Sequence, residues 1–293
     1  MRTHAWWMMG LLLLGMGFAA FGAPTTIAMF TDLHVHDTNS PEEEKVMVNW
    51  ESRLSAFVEM ANTAGVEAVV QLGDFINGKF VMGAELGDPE RIPAILDASV
   101  VVLNGLEMPI HHVLGNHDVY DLSKEQFLAG TGQEAAYYSF DLNGFHFVIL
   151  DAQYNRQGLD YAHAGWMVQG TVPEEELEWL RQDLAASELP TVILIHQPLD
   201  VNFAMLAGGP PVSNHLAVRA VLVEDPDVIA VFQGHAHDPS HQEIDGIHYI
   251  TLAGFVDHDP PAPLTWALVT FDADAGTITI DGEGLQEDLE LAF

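Results

Sequence analysis

Cysteine is absent from this chain of 293 residues, and cations are scarce: nine Lys and Arg stand against 43 Asp and Glu, a formal net charge of −34. The first absence excludes a disulfide framework, a thiolate ligand, a catalytic thiol and lipidation at cysteine. Any metal must be held by His, Asp, Glu or Asn. The second absence argues against nucleic acid as a partner, because so acidic a surface repels polyanions unless metal ions mediate the contact. It fits a salty medium or screening by divalent cations, but a surface selected for solubility is the preferred reading. Internal repeats and low-complexity segments are also lacking. The length suffices for one α/β domain with a full core, and an apolar share of 48% belongs to a globular chain.

Residues 1–22 carry Arg2, an apolar run from Ala5 through Leu11–Leu14 to Ala20, and small residues before Ala23. A cation, a short apolar run and small residues make a secretory signal peptide. The expectation is an exported protein, periplasmic or secreted, with cleavage before Ala23 and a mature chain of residues 23–293 in one domain. The alternative is an uncleaved anchor over residues 5–23, since the run nearly reaches the ~20 residues a span needs. Processing would leave no membrane span.

Five short polar signatures each follow an apolar run. Asp32-Leu33-His34 follows Ile27–Phe30, Gly73-Asp74 follows Val69–Leu72, and Gly115-Asn116-His117-Asp118 follows Ile110–Leu114. His196 follows Val192–Ile195, and Gly234-His235-Ala236-His237 follows Val228–Phe232. Short β-branched runs predict buried strands, and ligands gather at the carboxyl ends of such strands in open α/β sheets.

Between the signatures, helices are expected from the acidic run Pro41–Glu44 to a stop at Gly65, and over 90–105. Others are expected over 123–128, after a capping box at Thr171–Glu174, and over 214–222. Asn143-Gly144 predicts a hairpin joining 137–141 to 145–151. Strands are expected over 247–255, 264–272 and 277–281. The first half thus reads βαβα and the second adds hairpins, the mixture that two packed sheets with outer helices produce.

The candidate ligands are carboxylates of Asp32 and Asp74, the amide oxygen of Asn116, and the imidazoles of His34, His196, His235 and His237. They are too many for one tetrahedral ion. Mixed nitrogen and oxygen donors suit Zn, Mn or Fe. On a pleat, residues i and i+2 share a face, so Asp32 and His34 are expected to reach one ion together. His235 and His237 fit one centre or two adjacent ones. Two ions bridged by a carboxylate are the arrangement of phosphoester hydrolysis, in which they generate hydroxide near neutral pH and stabilise an in-line transition state.

Elsewhere the bland reading is preferred. His111 and His146 are expected to be hydrogen-bonded structural residues, His36 an exposed turn residue, and Glu283, Glu287, Asp288 and Glu290 a solvated acidic C-terminal tail. Tyr154, Tyr161 and Trp166, in a long aperiodic loop, either stack on a base or sugar or anchor the loop. A second loop, 202–213, is expected near the site.

In this order, Asp32-Leu33-His34, Gly73-Asp74, Gly115–Asp118, His196 and Gly234–His237 resemble the motif set of calcineurin-like metallophosphoesterases. The resemblance implies a four-layer αββα sandwich, an α/β fold of two mixed sheets flanked by helices. It implies two transition-metal ions (Mn, Fe or Zn) with Asp32, His34 and His237 on one, Asn116, His196 and His235 on the other, and Asp74 bridging. His117 is then not a ligand but a catalytic residue beside the phosphate, and Asp118 orients it. Purple acid phosphatases carry Tyr three residues after the Gly-Asp aspartate, where this chain has Asn77. The stretches 136–151 and 246–249 are similar to manganese-dependent ADP-ribose/CDP-alcohol diphosphatases and bacterial phosphodiesterases. The implied activity is hydrolysis of phosphodiester or nucleotide-pyrophosphate bonds in a small phosphorylated substrate. A broad phosphomonoesterase and a non-catalytic, metal-stabilised scaffold are the rivals.

Overall fold

The computed structural model describes residues 23–38, 45–78, 91–160, 170–200, 210–258 and 261–293. The expected signal segment, the acidic run 41–44, Tyr161, His163 and Trp166, and most of the 202–213 loop lie outside them. Among the described residues no helix is long and apolar enough to cross a membrane.

The chain begins with β1 (Thr25–Phe30), β2 (Lys45–Val46), α1 (Trp50–Ala64), β3 (Ala68–Gln71), α2 (Arg91–Leu103) and β4 (Ile110–His112). A 3-10 turn (His117–Val119), α3 (Lys124–Thr131), β5 (Tyr138–Leu142), β6 (Phe145–Ile149), α4 (Glu174–Leu184) and β7 (Thr191–Leu194) follow. It closes with α5 (His215–Glu224), β8 (Val228–Gln233), β9 (Ser240–Ile244), β10 (Ile247–Thr251), β11 (Asp257–His258), β12 (Trp266–Asp272), β13 (Thr277–Glu283) and β14 (Leu289–Ala292).

These strands form two six-stranded sheets, β14-β13-β12-β1-β3-β4 and β5-β6-β7-β8-β10-β9, and a small β11-β2 ribbon. In the first sheet β1, β3 and β4 run parallel, and β12 to β14 form an antiparallel meander. In the second, β6, β7, β8 and β10 run parallel between the antiparallel edge strands β5 and β9.

Period-two alternation assigns each strand face to a layer. Ile27 and Met29 of β1 meet Phe145, Phe147 and Phe232 between the sheets, with Phe271 and Ile280 among them. Ala28 and Phe30 point the other way, onto Leu54, Phe57 and Leu96 of α1 and α2. Val148, Ile193, Val231 and Tyr249 leave the second sheet toward α4 and α5. The result is the expected αββα sandwich. Its inter-sheet layer is aromatic-rich, and burying one such side chain stabilises the fold by roughly 1.5–3 kcal/mol.

Several local expectations change. The helix expected near Pro41 starts at Trp50, because Lys45–Val46 is drawn into pairing with His258 and Asp257. Gly65 ends it in the left-handed conformation, as expected. Helix α2 forms despite Val100–Val102, since burial of Ile92, Ile95, Leu96 and Leu103 outweighs weak β-branched propensity. There is no capping box at Thr171. Pro173 occupies the N-cap of α4, and the Thr171 hydroxyl bonds Ser213 instead. The capping box present is Ser123–Gln126, at the start of α3.

The acidic C-terminal tail is also corrected. Leu289–Ala292 is the edge strand β14, with Leu291 buried against the core and the acidic Glu290 turned outward. His36 is buried rather than exposed, its Nδ1 bonded at the Thr38 main chain and hydroxyl. Tyr154 acts as a loop anchor, with the Lys124 Nζ lying 3.1 Å from its ring centre.

His111 and His146 are structural, as expected. His111 stacks on Phe140 at 3.7 Å between ring centres and bonds the Tyr138 hydroxyl. His146 ties β6 to α4 and β5, with Asp183 at 2.9 Å and Asp141 at 2.7 Å. The Asp183 hydrogen bond, then that of Asp141, raises the His146 pKa above its ordinary 6.5 against the effect of burial. A raised folded-state value means the stabilisation is full below the unfolded pKa and fades as pH climbs through the folded one. His146→Gln should therefore cost about 1 kcal/mol near pH 6. The gap should narrow as pH rises through the folded-state pKa, which lies above 6.5. Denaturant titrations of both proteins at several pH values test this, and a gap that widens with pH would refute it.

Candidate dimetal centre

All five signatures leave the carboxyl ends of β1, β3, β4, β7 and β8, which share one edge of the two facing sheets. The ladders continue past the strand ends into these loops. Asp32 N donates to Gly73 O at 3.0 Å, His34 N to Asp74 O at 3.0 Å, and Gly234 N to His196 O at 3.0 Å. Beyond β10, the N–H groups of Gly254, Phe255 and Val256 donate to His237 O, Thr31 O and Asp32 O.

The side chains converge through backbone turns, not through the pleat. Among the described residues seven non-glycine positions have positive φ, and five are Asp32, His34, Asp74, His235 and His237. The i, i+2 argument therefore reached the right pairing of Asp32 with His34 by the wrong route. Glycine is required where loops press together: a Cβ on Gly115 would overlap the Asp74 carboxylate and main chain, and one on Gly234 would overlap Thr31 and Asp32.

Two sets of ligand atoms result. Asp32, His34 and His237 form one, and Asp74, His196 and His235 the other. In the first, His34 Nε2 lies 3.1 Å from His237 Nε2 and 3.7 Å from Asp32 Oδ1, and His237 Nε2 lies 3.3 Å from that same oxygen. In the second, His196 Nε2 lies 3.2 Å from Asp74 Oδ2. That Asp74 oxygen is also 3.8 Å from His34 Nε2, so it stands between the two sets. His235 and His237 divide between the two sets.

Five of the seven ligand side chains are aimed by a partner on the far side. Asn77 holds His34 Nδ1 at 2.8 Å, and Leu72 O accepts from His196 Nδ1 at 2.7 Å, leaving both Nε2 atoms to face inward. Thr31 Oγ1 at 2.6 Å and His235 N at 3.0 Å bond Asp32 Oδ2. His117 N bonds Asp74 Oδ1 at 2.8 Å, and the Asn116 amide nitrogen donates to the Tyr120 hydroxyl at 2.8 Å. Among the described residues, the buried Asp32 Oδ1, Asn116 Oδ1, His196 Nε2 and His235 Nε2 make no hydrogen bond. An unsatisfied buried polar atom costs about 1–3 kcal/mol. Four oxygen and nitrogen atoms left open at one point, Asn116 Oδ1 among them, fit two transition-metal ions.

The electrostatics differ from ligand to ligand: against the effect of burial, Asp74 and Asp32 lift His196 to about 9. Although burial opposes it, the His196 and His117 imidazoles hold the Asp74 carboxyl well below the usual range. Burial pushes His34 well down, with Lys45 adding to the effect, and pushes His235 down to about 3, so both nitrogens keep their lone pairs.

His117 is half-buried, with its ring edge-on to His34 at 4.6 Å between centres. With His34 and Asp74 it makes a third close group. Asp118 departs from the expectation that it orients His117. Its Oδ1 accepts from Ile76 N at 2.9 Å and its Oδ2 from Gly115 N at 2.8 Å, so it fastens the loops after β3 and β4 to each other. The sequence also gave no sign of the Gln153–Gln197 amide pair, at 2.6 and 3.0 Å, which locks the residue after His196 to the loop after β6. Asn77 was visible only as a departure from a pattern, not as the residue that orients His34.

Fold and centre together define a dimetal hydrolase, and comparison with known proteins names the class. The model of the calcineurin-like phosphoesterase family matches residues 25–239. The chain belongs to that family and is a hydrolase of phosphoric ester bonds. It is 25% identical to a manganese-dependent ADP-ribose/CDP-alcohol diphosphatase of Danio rerio, over 78% of this chain and 84% of the relative. It is 24% identical to a 3',5'-cyclic-nucleotide phosphodiesterase of Nostoc, over 78% and 77%. A solved dimetal phosphatase from Danio rerio superposes with a TM-score of 0.75 at 22% identity, covering 92% of this chain and 99% of that one. A purple acid phosphatase of yellow lupin shares the fold at a TM-score of 0.57 and 12% identity, over 92% and 54%.

Replacing Asp74 with Asn should strip both positions, since a neutral amide does not offset two dications. Asn77→Ala should weaken only the His34 side, by about 10–100-fold. Metal analysis and calorimetric titration of the purified variants check both, and two tightly held ions in the Asp74 variant would remove it from its shared role.

Proposed function

We propose that the chain hydrolyses phosphodiester or nucleotide-pyrophosphate bonds in small substrates. Asp32, His34 and His237 would hold one ion and Asn116, His196 and His235 the other, with Asp74 between them. The observation that carries this reading is Asp74 Oδ2, placed between two ligand sets in which Asp32 Oδ1, Asn116 Oδ1, His196 Nε2 and His235 Nε2 make no hydrogen bond. When bound, the ions lower the pKa of water and neutralise charge growing on the phosphoryl oxygens. The protein's own part is to aim seven ligand side chains, exclude motion through the Asn77, Leu72 and Thr31 contacts, and present His117 at the open side. There His117 stabilises the phosphate or hands a proton to the leaving oxygen as the P–O bond breaks. The diphosphatase and cyclic-nucleotide phosphodiesterase relatives support ester classes with a second phosphoryl group or a ribosyl leaving group.

A hydrolysis panel decides the class: Mn, Zn, Fe, Co and Mg, each with monoester, diester and pyrophosphate substrates. Diester or pyrophosphate turnover well above that of monoesters is expected. A monoester preference would favour the broad phosphatase, and no turnover with any metal would favour a scaffold.

His117→Ala should leave metal content and folding nearly unchanged while turnover falls by about 10²–10⁴-fold. The loss should be smaller for nitrophenyl esters, which leave without a proton, than for ribosyl or alkyl esters. An unchanged rate on a poor leaving group, with both ions present, would take His117 out of the mechanism.

We further propose export with removal of residues 1–22, supported by Arg2, the apolar run and the small residues before Ala23. Mass spectrometry of protein from its native host should find a mature N-terminus near Ala23. An intact Met1 in the membrane fraction would show the anchor instead.

A further inference from the structure

Cations are rare in this chain, and most of the described ones are engaged away from the centre. Arg53 donates to the carbonyls of Phe255, Ala262 and Pro263, and Arg91 pairs with Asp37. Lys124 pairs with Asp151 and Asp160, Arg181 with Glu174, and Arg219 with Asp245. Arg156 is exposed on the loop after β6. Lys45 is different: it is 8% exposed, and its Nζ lies 3.3 Å from His34 Nε2, one of the ligand atoms of the first set.

Its position is built, not incidental. Lys45 pairs in register with His258 in the β2–β11 ribbon. The segment leading into β11 is fastened to the site itself by the bonds from Gly254, Phe255 and Val256 to His237, Thr31 and Asp32. Arg53 grips the same segment from α1 through the Phe255 carbonyl. The backbone that carries Lys45 is therefore anchored to the loops that carry the ligands. The buried four-carbon stem starts from that fixed point and brings Nζ to the first ligand set.

An ammonium offers three donors and no lone pair, so it is not a metal ligand. Beside two dications it is repelled unless an anion lies between them. When bound, the ions would offset part of the charge on a phosphoryl group. A cation added to them favours a ligand that carries more.

We propose that Lys45 is a specificity-determining residue of the dimetal site, one that binds a phosphoryl oxygen bearing charge beyond a single negative charge. Such an oxygen belongs to a dianionic phosphate end or to the second phosphoryl of a pyrophosphate, as opposed to a singly charged diester. The inference rests on the reading of the centre as a phosphate-binding dimetal site, and it separates the pyrophosphate class from the cyclic-diester class within that reading.

The test measures binding rather than turnover. Calorimetry on the metal-loaded protein at pH 8 compares inorganic phosphate, a dianion, with dimethyl phosphate, a monoanion. In Lys45→Gln and Lys45→Met the phosphate affinity should fall about tenfold or more, the scale of one charge-assisted hydrogen bond. Dimethyl phosphate affinity should change less than about twofold in the same comparison. Lys45→Arg should keep the preference, and metal content should stay at two ions throughout. Unchanged phosphate affinity, equal weakening of both anions, or loss of an ion from either neutral variant would overturn the proposal. Failure here is distinguishable from failure of the proposed activity. A wild-type protein that hydrolyses nothing yet binds phosphate through Lys45 sustains this inference alone, whereas active enzyme with Lys45-independent phosphate binding rejects it alone.

Discussion

The structure depends on five L-residues held at positive φ. Asp32, His34, Asp74, His235 and His237 all occupy the left-handed region, at φ between 52° and 68°. Residues with a Cβ avoid that region, and each such position costs on the order of 1–3 kcal/mol unless its surroundings over-determine it. Here they do. Every loop that carries one of these residues extends the hydrogen-bonding of the sheet it leaves, through bonds such as His34 N to Asp74 O and Gly254 N to His237 O. A strand that ended in ordinary extended geometry would send successive side chains to opposite faces. The left-handed turn brings Asp32 and His34 to the same side, and likewise sends His235 and His237 to adjacent positions. Convergence of the ligands is thus a backbone property, maintained by two stiff sheets before any ion contributes.

That is why the centre was legible in the sequence while its supports were not. Each ligand sits within one to four residues of a short buried strand, so identity and position were both local facts. The supports act over long separations. Asn77 reaches His34 across 43 residues, Gln153 reaches Gln197 across 44, and Leu72 O receives His196 across 124. No periodicity announces such contacts. The layer order was equally readable, because strands as continuously apolar as β1, β6 and β8 are buried on both faces and so need a layer on each side.

The failures share one cause, competition from partners the sequence did not display. Thr171 has the spacing of a capping box, yet Pro173 takes the cap and Ser213 takes the hydroxyl. Lys45 follows an acidic run suited to a helix start, yet β11 recruits it into a ribbon. The last acidic residues read as a tail, yet Ile278 and Ile280 of β13 offer an edge on which Leu289 and Leu291 complete the core. In the case of Asp118, proximity to His117 in sequence pointed to a partnership, but buried N–H groups at Ile76 and Gly115 had the prior claim.

A chain of net charge −34 must nevertheless bind an anion. Long-range attraction is not available to it, and the screened surface field works against approach. The charge must be inverted locally, within a few ångströms, where Coulomb energies are least screened. The centre is arranged for that inversion. Its imidazoles are neutral ligands and its first-sphere carboxylates number two, Asp32 and Asp74, against two dications in the proposed assembly, which leaves net positive charge to meet a phosphate. The half-buried His235, His237 and His117 line the open side, while Asp32, Asp74 and His196 lie beneath them, so the acidic ligands sit on the side away from the incoming anion. Polarity at the mouth is therefore set by depth: carboxylates at the floor with His34 and His196, the half-buried His117, His235 and His237 at the rim, and Lys45 buried beside His34. An acidic exterior then serves solubility without dictating what the site binds, and it tends to exclude long polyanions that must lie along the surface. A small phosphate ester, short enough to meet only the inverted patch, avoids most of that repulsion.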